Sequence, residues 1–335
     1  MALCLVTGGA GFIGSHLVDS LVAYGHEIRV LDNLSTGDAS NLAQVRSTIE
    51  FIRGDVTDLA AVRAACRGVE FVFHQAALAS VPRSIADPLA THQACTTGTL
   101  HVLMAAREAQ VRRVIYAGSS SAYGAALQLP KRESDATLPL SPYAVAKLCG
   151  EEYCSAFTTV YGLETVRLRY FNVFGPRQPP GSPYSAVIPL FIEAMLAGRS
   201  PTIYGDGLQS RDFTYVRDVV QANLLAAEAP RVAGKVFNIA CGRRTTLLDL
   251  IGRINDVLGT RIRPVHADPR PGDVQHSQAD ISRAQVELGF CPCTDIKQDL
   301  RHCIDYYRGS LDQGLAPADR HESPQGPRVA GAASR

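Results

Sequence analysis

Residues 2–14 read ALCLVTGGAGFIG, and this stretch decides the fold. Its first five residues are apolar and predict a short buried strand. Glycines at 8, 11 and 14 then mark a tight turn, and apolar residues at helical spacing continue from 12 to 24. A strand that passes through a glycine-rich turn into a helix predicts the first βαβ unit of a doubly wound sheet.

Strands and helices alternate in the same way up to Tyr170, which is typical of a parallel sheet covered by helices on both faces. We therefore expect an α/β fold, a Rossmann-like doubly wound parallel sheet with a smaller α/β substrate lobe. The predicted strands are 2–6, 27–31, 49–53, 69–74, 112–117 and 164–170, and the predicted helices are 12–24, 58–66, 89–109 and 142–161.

Prolines and glycines become frequent after Tyr170, and helices are predicted near 187–197, 216–228 and 246–258. The expected division of the chain is a nucleotide-binding domain over 1–172, completed by parts of 213–240, and a substrate lobe that occupies most of 173–308. Residues 309–335 are rich in Pro, Gly, Ala and Ser, and are predicted to be a disordered tail.

The composition excludes several classes of protein. Lys plus Arg number 33 and Asp plus Glu number 32 in 335 residues, and this near-neutral balance argues against a nucleic-acid binder. No apolar run reaches the ~18 residues of a membrane span, and the N-terminal run lacks the basic leader of a signal peptide. The nine cysteines include no CxxC pair, and we interpret them as reduced side chains of a cytoplasmic protein. A metal or redox role for Cys291 and Cys293 is disfavoured, so no metal site is expected.

The glycine turn predicts a dinucleotide cofactor. Gly8 lets the chain turn sharply, Gly11 lets a pyrophosphate approach the backbone, and Gly14 lets the helix pack close to the strand. Asp32 ends the second strand, where its carboxylate accepts from a ribose 2′-OH and repels a 2′-phosphate, so NAD is predicted rather than NADP. Asp55 is expected to hydrogen-bond the adenine. The other expected cofactor contacts are Phe12, Ile13, Asn33, Val56, Gln75, Ala76 and Ala77.

A candidate catalytic set follows the fifth strand. Ser119, Ser120 and Ser121 end that strand, and Tyr143 and Lys147 are four residues apart on one face of the next helix. A tyrosine with its usual pKa of about 10 is a weak base, but a nearby ammonium and a positive nicotinamide ring stabilise its phenolate. This pattern predicts proton transfer by the tyrosine beside a serine hydroxyl that holds the substrate oxygen. His74, at the end of the fourth strand, is interpreted as a packed side chain rather than a catalytic one.

The motifs TGGAGFIG (7–14), Asp32, HQAA (74–77), SSSAYG (119–124) and YAVAK (143–147) resemble the extended short-chain dehydrogenase/reductase family. The resemblance covers about residues 1–308. RYFNVFGPRQ (169–178), YGDGLQSRDFTYVRDVV (204–220) and RPGDVQHSQADIS (270–282) resemble segments of the UDP-sugar 4-epimerases, most closely the type that accepts N-acetylated hexosamines. The resemblance implies bound NAD, a UDP-sugar substrate and reversible inversion at C4 through a 4-keto intermediate.

The resemblance also implies roles for single residues. It makes Tyr143 the acid/base, Lys147 its partner and ribose ligand, and Ser119 the catalytic hydroxyl. Ser277 stands where the larger-pocketed epimerases carry a small residue, which implies UDP-GlcNAc and UDP-GalNAc as substrates, with UDP-Glc and UDP-Gal as a further pair. Tyr170 is an implied cofactor contact. The implied substrate residues are Ser120, Ser121, Asn172, Val187, Arg211, Arg270, Asp273 and Ser277, and the two arginines suit a diphosphate because a guanidinium forks onto its oxygens.

The sequence departs from the family at two positions and leaves two alternatives open. Cys95 stands where many members carry Asn, and Ala79-Ser80 stands where hexose-type epimerases often carry Lys. A nucleotide-sugar dehydratase or decarboxylase is the enzymatic alternative, although a dehydratase of this family usually carries Asp-Glu at Ser120-Ser121. A silent NAD-binding scaffold is the non-enzymatic alternative, although such proteins often lose the Tyr or the Lys. The helices at 89–109 and 142–161 resemble those that form a dimer interface, so a homodimer is expected.

Overall fold

Seven parallel strands form the central sheet of the protein, for which a computed structural model describes residues 1–126, 128–180, 186–269 and 274–312. The strand order is β11-β6-β5-β4-β1-β2-β3, and this confirms the predicted doubly wound sheet. The strands are β1 (Leu3–Thr7), β2 (Glu27–Asp32), β3 (Ile49–Arg53), β4 (Phe71–His74), β5 (Arg113–Ser119), β6 (Glu164–Tyr170) and β11 (Lys235–Ile239).

The described helices cover both faces of the sheet and build the second half of the chain. They are α1 (Phe12–Ala23), α2 (Leu59–Cys66), α3 (Val81–Ala86), α4 (Pro88–His92), α5 (Gly98–Glu108), α6 (Pro142–Tyr161), α7 (Val187–Leu196), α8 (Val216–Glu228), α9 (Leu247–Leu258), α10 (Ser282–Leu288) and α11 (Ile296–Asp312). Among them, none is both long enough and apolar enough to cross a membrane.

Apolar side chains of the described residues pack in several separate clusters. Leu17 of α1 and Val219 of α8 are fully buried on one face of the sheet, and Val62 of α2 and Leu103 of α5 are fully buried on the other. A third cluster joins α7, α9 and α11 and includes Phe191, Ile251 and Ile304.

Three short pairs of strands lie in the second half of the chain. They are β7 (Val173–Phe174) with β10 (Thr214–Tyr215), β8 (Thr202–Tyr204) with β13 (Val265–Ala267), and β9 (Ser210–Arg211) with β12 (Thr245–Thr246). The division into a nucleotide-binding domain and a substrate lobe stays a prediction, although β11 extends the edge of the central sheet next to β6.

The order of the strands places a crevice beside β1. The chain builds β2 and β3 on one side of β1 and β4, β5 and β6 on the other, so the connections diverge between β1 and β4. In doubly wound sheets, ligands bind outside the carboxyl ends of the strands at this point. The glycine turn, Asp32, His74 and Ser119 all follow or end strands at this edge.

Two predicted elements differ from the structure. The helix predicted at 89–109 contains a π-helical turn at Gln93–Thr97, between α4 and α5, which shifts the face that the later residues present. The last helix, α11, continues to Asp312, because no proline interrupts it before residue 317, so residues 309–312 are helical rather than part of the predicted tail. The remainder of that tail lies outside the described residues.

Candidate active site

The glycine turn between β1 and α1 is packed too tightly for larger residues. A Cβ on Gly14 would lie 2.1 Å from the carbonyl oxygen of Gly8, and a Cβ on Gly8, whose φ is +70°, would lie 2.7 Å from the backbone of Ala76. At Gly11, one described atom, the Gly8 oxygen at 3.2 Å, would contact such a Cβ. No described side chain caps the N-terminus of α1. The residues therefore form a cradle of backbone N–H groups that fits a pyrophosphate.

Asp32 links the end of β2 to this turn. Its Oδ2 accepts the N–H of Ala10 at 2.9 Å, and its Oδ1 accepts the N–H of Leu34 at 2.8 Å. These bonds hold the buried carboxylate beside the glycine turn, while each oxygen retains a lone pair for a ribose hydroxyl.

Asp55 and Asn33, both predicted cofactor contacts, are bonded to each other. Asn33 Nδ2 donates to Asp55 Oδ2 at 2.6 Å, and the Thr57 N–H and hydroxyl donate to Asp55 Oδ1. Burial raises the pKa of Asp55, but the hydrogen bonds from Thr57 and Asn33 outweigh burial and hold it below its usual value. The carboxylate is thus ionised and fixed at the end of β3.

His74 is a buried structural side chain, as predicted. Its Nδ1 is 2.7 Å from the Thr7 hydroxyl and its Nε2 is 2.9 Å from the Thr99 hydroxyl. Because Thr99 donates its own proton to the Cys95 carbonyl, the imidazole carries its proton on Nε2 and is neutral. Burial, with Lys147 nearby, lowers its pKa to about 3. The histidine therefore ties β1 and β4 to the first turn of α5.

Gln75 and Tyr170, also predicted cofactor contacts, share one hydrogen-bonded group with Asn223 of α8. Gln75 Nε2 donates to the Tyr170 hydroxyl and to Asn223 Oδ1, both at 3.1 Å. Asn223 Nδ2 donates to the Tyr170 hydroxyl at 2.8 Å, and burial raises the pKa of that phenol to about 12. The group fixes the ends of β4 and β6 beside the crevice.

The predicted catalytic serine and tyrosine converge. Ser119 ends β5, and its Oγ is 2.8 Å from the Ser121 hydroxyl and accepts the Ser121 N–H at 3.2 Å. Tyr143 stands in the first turn of α6, which begins after Ser141 caps the Ala144 N–H. Burial and Cys95 raise the pKa of Tyr143, and a hydrogen bond with Ser119 opposes that rise. The two hydroxyls can therefore hold one substrate oxygen between them.

Lys147 is one helical turn further along α6 and is buried, with 3% of its surface exposed. Its Nζ donates to the Ala117 carbonyl at 2.9 Å and lies 5.2 Å from the centre of the Tyr116 ring. Burial lowers the pKa of the ammonium, whereas Cys95 and Glu151 oppose that shift. A positive charge is thus held against β5, one helical turn from Tyr143.

The predicted substrate residues come from distant parts of the chain. Asn172 Nδ2 donates to the Asp212 carbonyl at 3.1 Å, and Arg211 Nη1 donates to the Gln275 carbonyl at 3.2 Å. The N–H of Ser277 donates to the Ser210 carbonyl at 3.0 Å, so this half-buried serine is attached to β9. Ser120 lies in the 3₁₀ turn after β5, and Val187 begins α7. Arg270 and Asp273 lie outside the described residues.

Sequence reasoning missed two buried carboxylates that lie near the candidate site residues. Asp212 accepts the N–H groups of Cys241 at 3.0 Å and Ala279 at 3.1 Å, and Glu151 forms an ion pair with Arg169. Asp212 directly follows Arg211, and Glu151 is four residues beyond Lys147 on the buried face of α6. An ionisable residue at a buried position of a helix was the available signal for Glu151.

Known proteins match this chain over nearly its whole length. The NAD dependent epimerase/dehydratase family matches residues 4–240. A UDP-glucose 4-epimerase of Mycolicibacterium smegmatis is 38% identical over 309 residues, which cover 91% of this chain and 98% of that protein.

Solved structures share the fold as well. A UDP-N-acetylglucosamine 4-epimerase from Methanobrevibacter ruminantium, in complex with UDP-N-acetylmuramic acid, is 43% identical with a TM-score of 0.89, covering 92% of this chain and 99% of that one. A dTDP-glucose 4,6-dehydratase from Streptomyces venezuelae, with NAD bound, is 32% identical with a TM-score of 0.85, covering 93% and 98%.

These matches agree with the glycine cradle, with Asp32 beside it and with the parallel sheet that carries them. They confirm the predicted family, the NAD cofactor and the Rossmann-like fold. The chain belongs to the NAD-dependent epimerase/dehydratase family of the extended short-chain dehydrogenases/reductases.

Proposed function

We propose that the protein reversibly inverts C4 of a UDP-sugar while it keeps one NAD bound. The convergence of Ser119, Tyr143 and the buried Lys147 ammonium, at the same sheet edge as the glycine cradle, carries this proposal. The relatives support it, because they include epimerases of UDP-glucose and UDP-N-acetylglucosamine.

Tyr143 moves the proton in the proposed reaction. Burial raises the pKa of its phenol, so the phenolate needs the positive charge of the Lys147 ammonium and of the oxidised nicotinamide ring. The phenolate takes the proton of the sugar 4-OH, and the Ser119 hydroxyl donates a hydrogen bond to the same oxygen. Bound NAD supplies the reversible removal and return of the C4 hydride, so the cycle has no net redox change.

Inversion requires the 4-keto sugar to present its other face before the reverse transfer. Arg211 and Asn172, with Arg270, are proposed to hold the nucleotide diphosphate while the sugar turns about that link. Tyr143 then returns its proton to the C4 oxygen. The same residue therefore acts as base in the first transfer and as acid in the second.

We propose UDP-GlcNAc and UDP-GalNAc as the preferred pair, with UDP-Glc and UDP-Gal as the second. Ser277 supports this preference, because it is a small, half-buried residue on the segment that pairs with β9. A hydroxymethyl side chain at that point leaves room for an N-acetyl group, whereas a bulky ring would fill it.

The test is to incubate the purified protein with UDP-GlcNAc and, separately, UDP-Glc, without added NAD, and to identify the products by NMR. The 4-epimers are expected, with higher kcat/KM for the N-acetylated sugar. The Ser277→Tyr variant should lose most N-acetyl activity and retain hexose activity, and Ser282→Tyr, at an exposed serine of α10, is the matched control. Absence of both 4-epimers would overturn the proposal.

A dehydratase is the second candidate, since the structure resembles one at a TM-score of 0.85. Ser120 and Ser121 oppose it, because hydroxyls of ordinary pKa cannot protonate a leaving 6-OH or take a C5 proton. A 4-keto-6-deoxy product in the same NMR assay would favour this candidate over epimerisation.

We propose a homodimer formed through α4 and α6. Large apolar side chains are exposed there and gather on neighbouring helices: Leu89 of α4 and Val145, Tyr153, Val160 and Tyr161 of α6. An apolar surface of this kind marks an interface between proteins. Sedimentation should give twice the chain mass, and Val160→Glu should shift it toward the monomer.

A further inference from the structure

An ion pair lies buried beneath the candidate catalytic residues. Arg169 of β6 donates from Nε and Nη2 to the carboxylate of Glu151 at 2.8–3.1 Å, with 0% of Glu151 and 4% of Arg169 exposed. A buried ion pair is on average no more stabilising than apolar side chains of the same volume. Stability alone therefore gives little reason for two charges at this place.

The carboxylate of Glu151 contacts β5, the strand that ends at Ser119. A Cβ added to Gly118 would lie 2.9 Å from Glu151 Oε1, so the carboxylate rests against β5 at that glycine. Gly118 lies between Ala117 and Ser119 in β5, and the Ala117 carbonyl accepts a hydrogen bond from the Lys147 ammonium.

The guanidinium of Arg169 reaches the serine turn from the other side. Its Cζ lies 4.7 Å from the centre of the Tyr123 ring, which closes the 3₁₀ turn that includes Ser120 and Ser121. The Tyr123 hydroxyl in turn donates to Asn238 Oδ1 at 2.6 Å. The ion pair thus connects α6, β5 and the turn after β5.

We propose that Glu151, held by Arg169, is a positioning residue that fixes the Lys147 ammonium and the Ser119 turn in their catalytic arrangement. This inference rests on the proposed function, because it takes Lys147 and Ser119 as members of the catalytic set. Tyr143, Lys147 and Glu151 follow one another at intervals of four residues along one face of α6, so the anion lies one turn beneath the ammonium.

The negative charge of Glu151 also favours the protonated form of Lys147. Burial lowers the pKa of Lys147, and Cys95 and the Glu151 carboxylate oppose this shift. The titratable or charged groups that surround the ammonium are His74 of β4, Cys95 of the π-helical turn, Tyr116 of β5, and Tyr143, Glu151 and Cys154 of α6. His74 is neutral, and the other members of this group are thiols and phenols. Glu151 therefore supplies the carboxylate that faces the ammonium.

The composition makes a direct test practical, because the chain contains four lysines, at positions 131, 147, 235 and 297. Lysine labelled with ¹³C at Cε gives four NMR signals, and Lys147→Arg assigns the one of interest. In Glu151→Gln, the Lys147 signal should titrate at lower pH than in the wild type, and the alkaline limb of the kcat profile should move the same way. We expect kcat to fall by about tenfold with little change in KM.

Three comparison variants separate positioning from simple loss of an ion pair. Arg169→Gln breaks the same pair but leaves the carboxylate, so the Lys147 signal should titrate at the wild-type pH or higher. Glu164→Gln breaks the Arg113–Glu164 pair at the opposite end of β5 and β6, and should change neither readout. The double variant Glu151→Met/Arg169→Leu leaves no unpaired charge, and should fold and repeat the lowered titration.

The inference is wrong if Lys147 titrates at the wild-type pH in Glu151→Gln and in the double variant, or if the kcat profile keeps its shape. The titration needs no substrate, so it tests the inference even if the wild type proves inactive on UDP-sugars. Inactivity of the wild type would instead overturn the proposed function.

Discussion

The proposed cofactor side and the proposed substrate side of the crevice are built in different ways. The proposed cofactor side is mostly local in sequence, since Gly14 packs against Gly8 and Asp32 is bonded to Ala10 within the first strand, helix and strand. The substrate side joins distant segments, where Ser277 is bonded to Ser210 and the Lys131 N–H donates to the Gln278 carbonyl at 2.8 Å. The first side depends on close backbone packing, and the second depends on a few buried polar groups.

Because of this difference, the two sides should be sensitive to different kinds of substitution. A glycine with no room for a Cβ fails by steric overlap, whereas a segment held by hydrogen bonds fails when its acceptor is lost. The proposed catalytic residues lie between the two sides.

The largest loss is expected for Tyr143→Phe. Removal of the hydroxyl eliminates the proposed acid/base and leaves the ring packing intact, so kcat should fall by about 10²–10⁴-fold. The bound NAD content, measured after acid release, should stay at the wild-type level. Tyr24→Phe, at an exposed tyrosine directly after α1, is the matched control and should keep full activity. Substantial turnover by Tyr143→Phe would remove the tyrosine from the mechanism.

Gly14→Ala should break the cofactor side. The new Cβ would stand 2.1 Å from the Gly8 oxygen, so the turn must shift, at a cost of about 1–3 kcal/mol. The purified variant should contain little NAD and unfold at lower temperature. Gly252→Ala on α9 meets no described atom within 4 Å and should retain NAD, with a stability gain of about 0.5–1 kcal/mol. Normal NAD retention in Gly14→Ala would refute the tight-turn explanation.

Asp212→Asn should weaken the substrate side alone. The carboxylate accepts N–H groups of Cys241 and Ala279, and an amide would place an N–H donor against one of them. We expect KM for the UDP-sugar to rise about tenfold with a smaller change in kcat, and NAD content to remain normal. Asp256→Asn, on the less buried face of α9, is the control.

The same carboxylate predicts a pH dependence. Burial raises the pKa of Asp212 to about 6, so the folded protein protonates it as the pH falls through that value. Protonation removes acceptor capacity, and KM of the wild type should therefore rise below about pH 6. The profile of Asp212→Asn should lack this rise, and an identical rise in both proteins would assign it to another group.

The smallest effect is on stability and concerns Asp299 of α11. Both of its buried carboxylate oxygens lack a hydrogen bond among the described residues, and Arg217 Nη2 lies 3.7 Å from Oδ1. Burial raises the pKa of Asp299 to about 6, although Arg217 opposes that shift. The folded protein then binds this proton more tightly than the unfolded chain, so ionisation costs stability as the pH rises from about 4 to 6. Asp299→Asn should raise the free energy of unfolding by about 1–3 kcal/mol at pH 8, and the gain should vanish near pH 3. Denaturant unfolding at both pH values measures this, and an equal effect at both would contradict it.

The sequence predicted the fold around the glycine turn well, because its signals are short-range. Strand β6 has its predicted bounds, and the glycine turn and Asp32 meet as the βαβ pattern requires. The π-helical turn at Gln93–Thr97 was missed because its residues keep an ordinary helical pattern. Asp212 and Glu151 were missed since their importance lies in contacts with segments tens of residues away, which periodicity cannot reveal.

The most direct measurement of the central claim uses a UDP-sugar with deuterium at C4. If the protein inverts C4 by removing and returning one hydride, the 4-epimer formed without added NAD should keep its deuterium at C4, and none should reach solvent. Tyr143→Phe should form this product at a strongly reduced rate. Loss of the label to water, or a product altered at C5 or C6, would contradict the account.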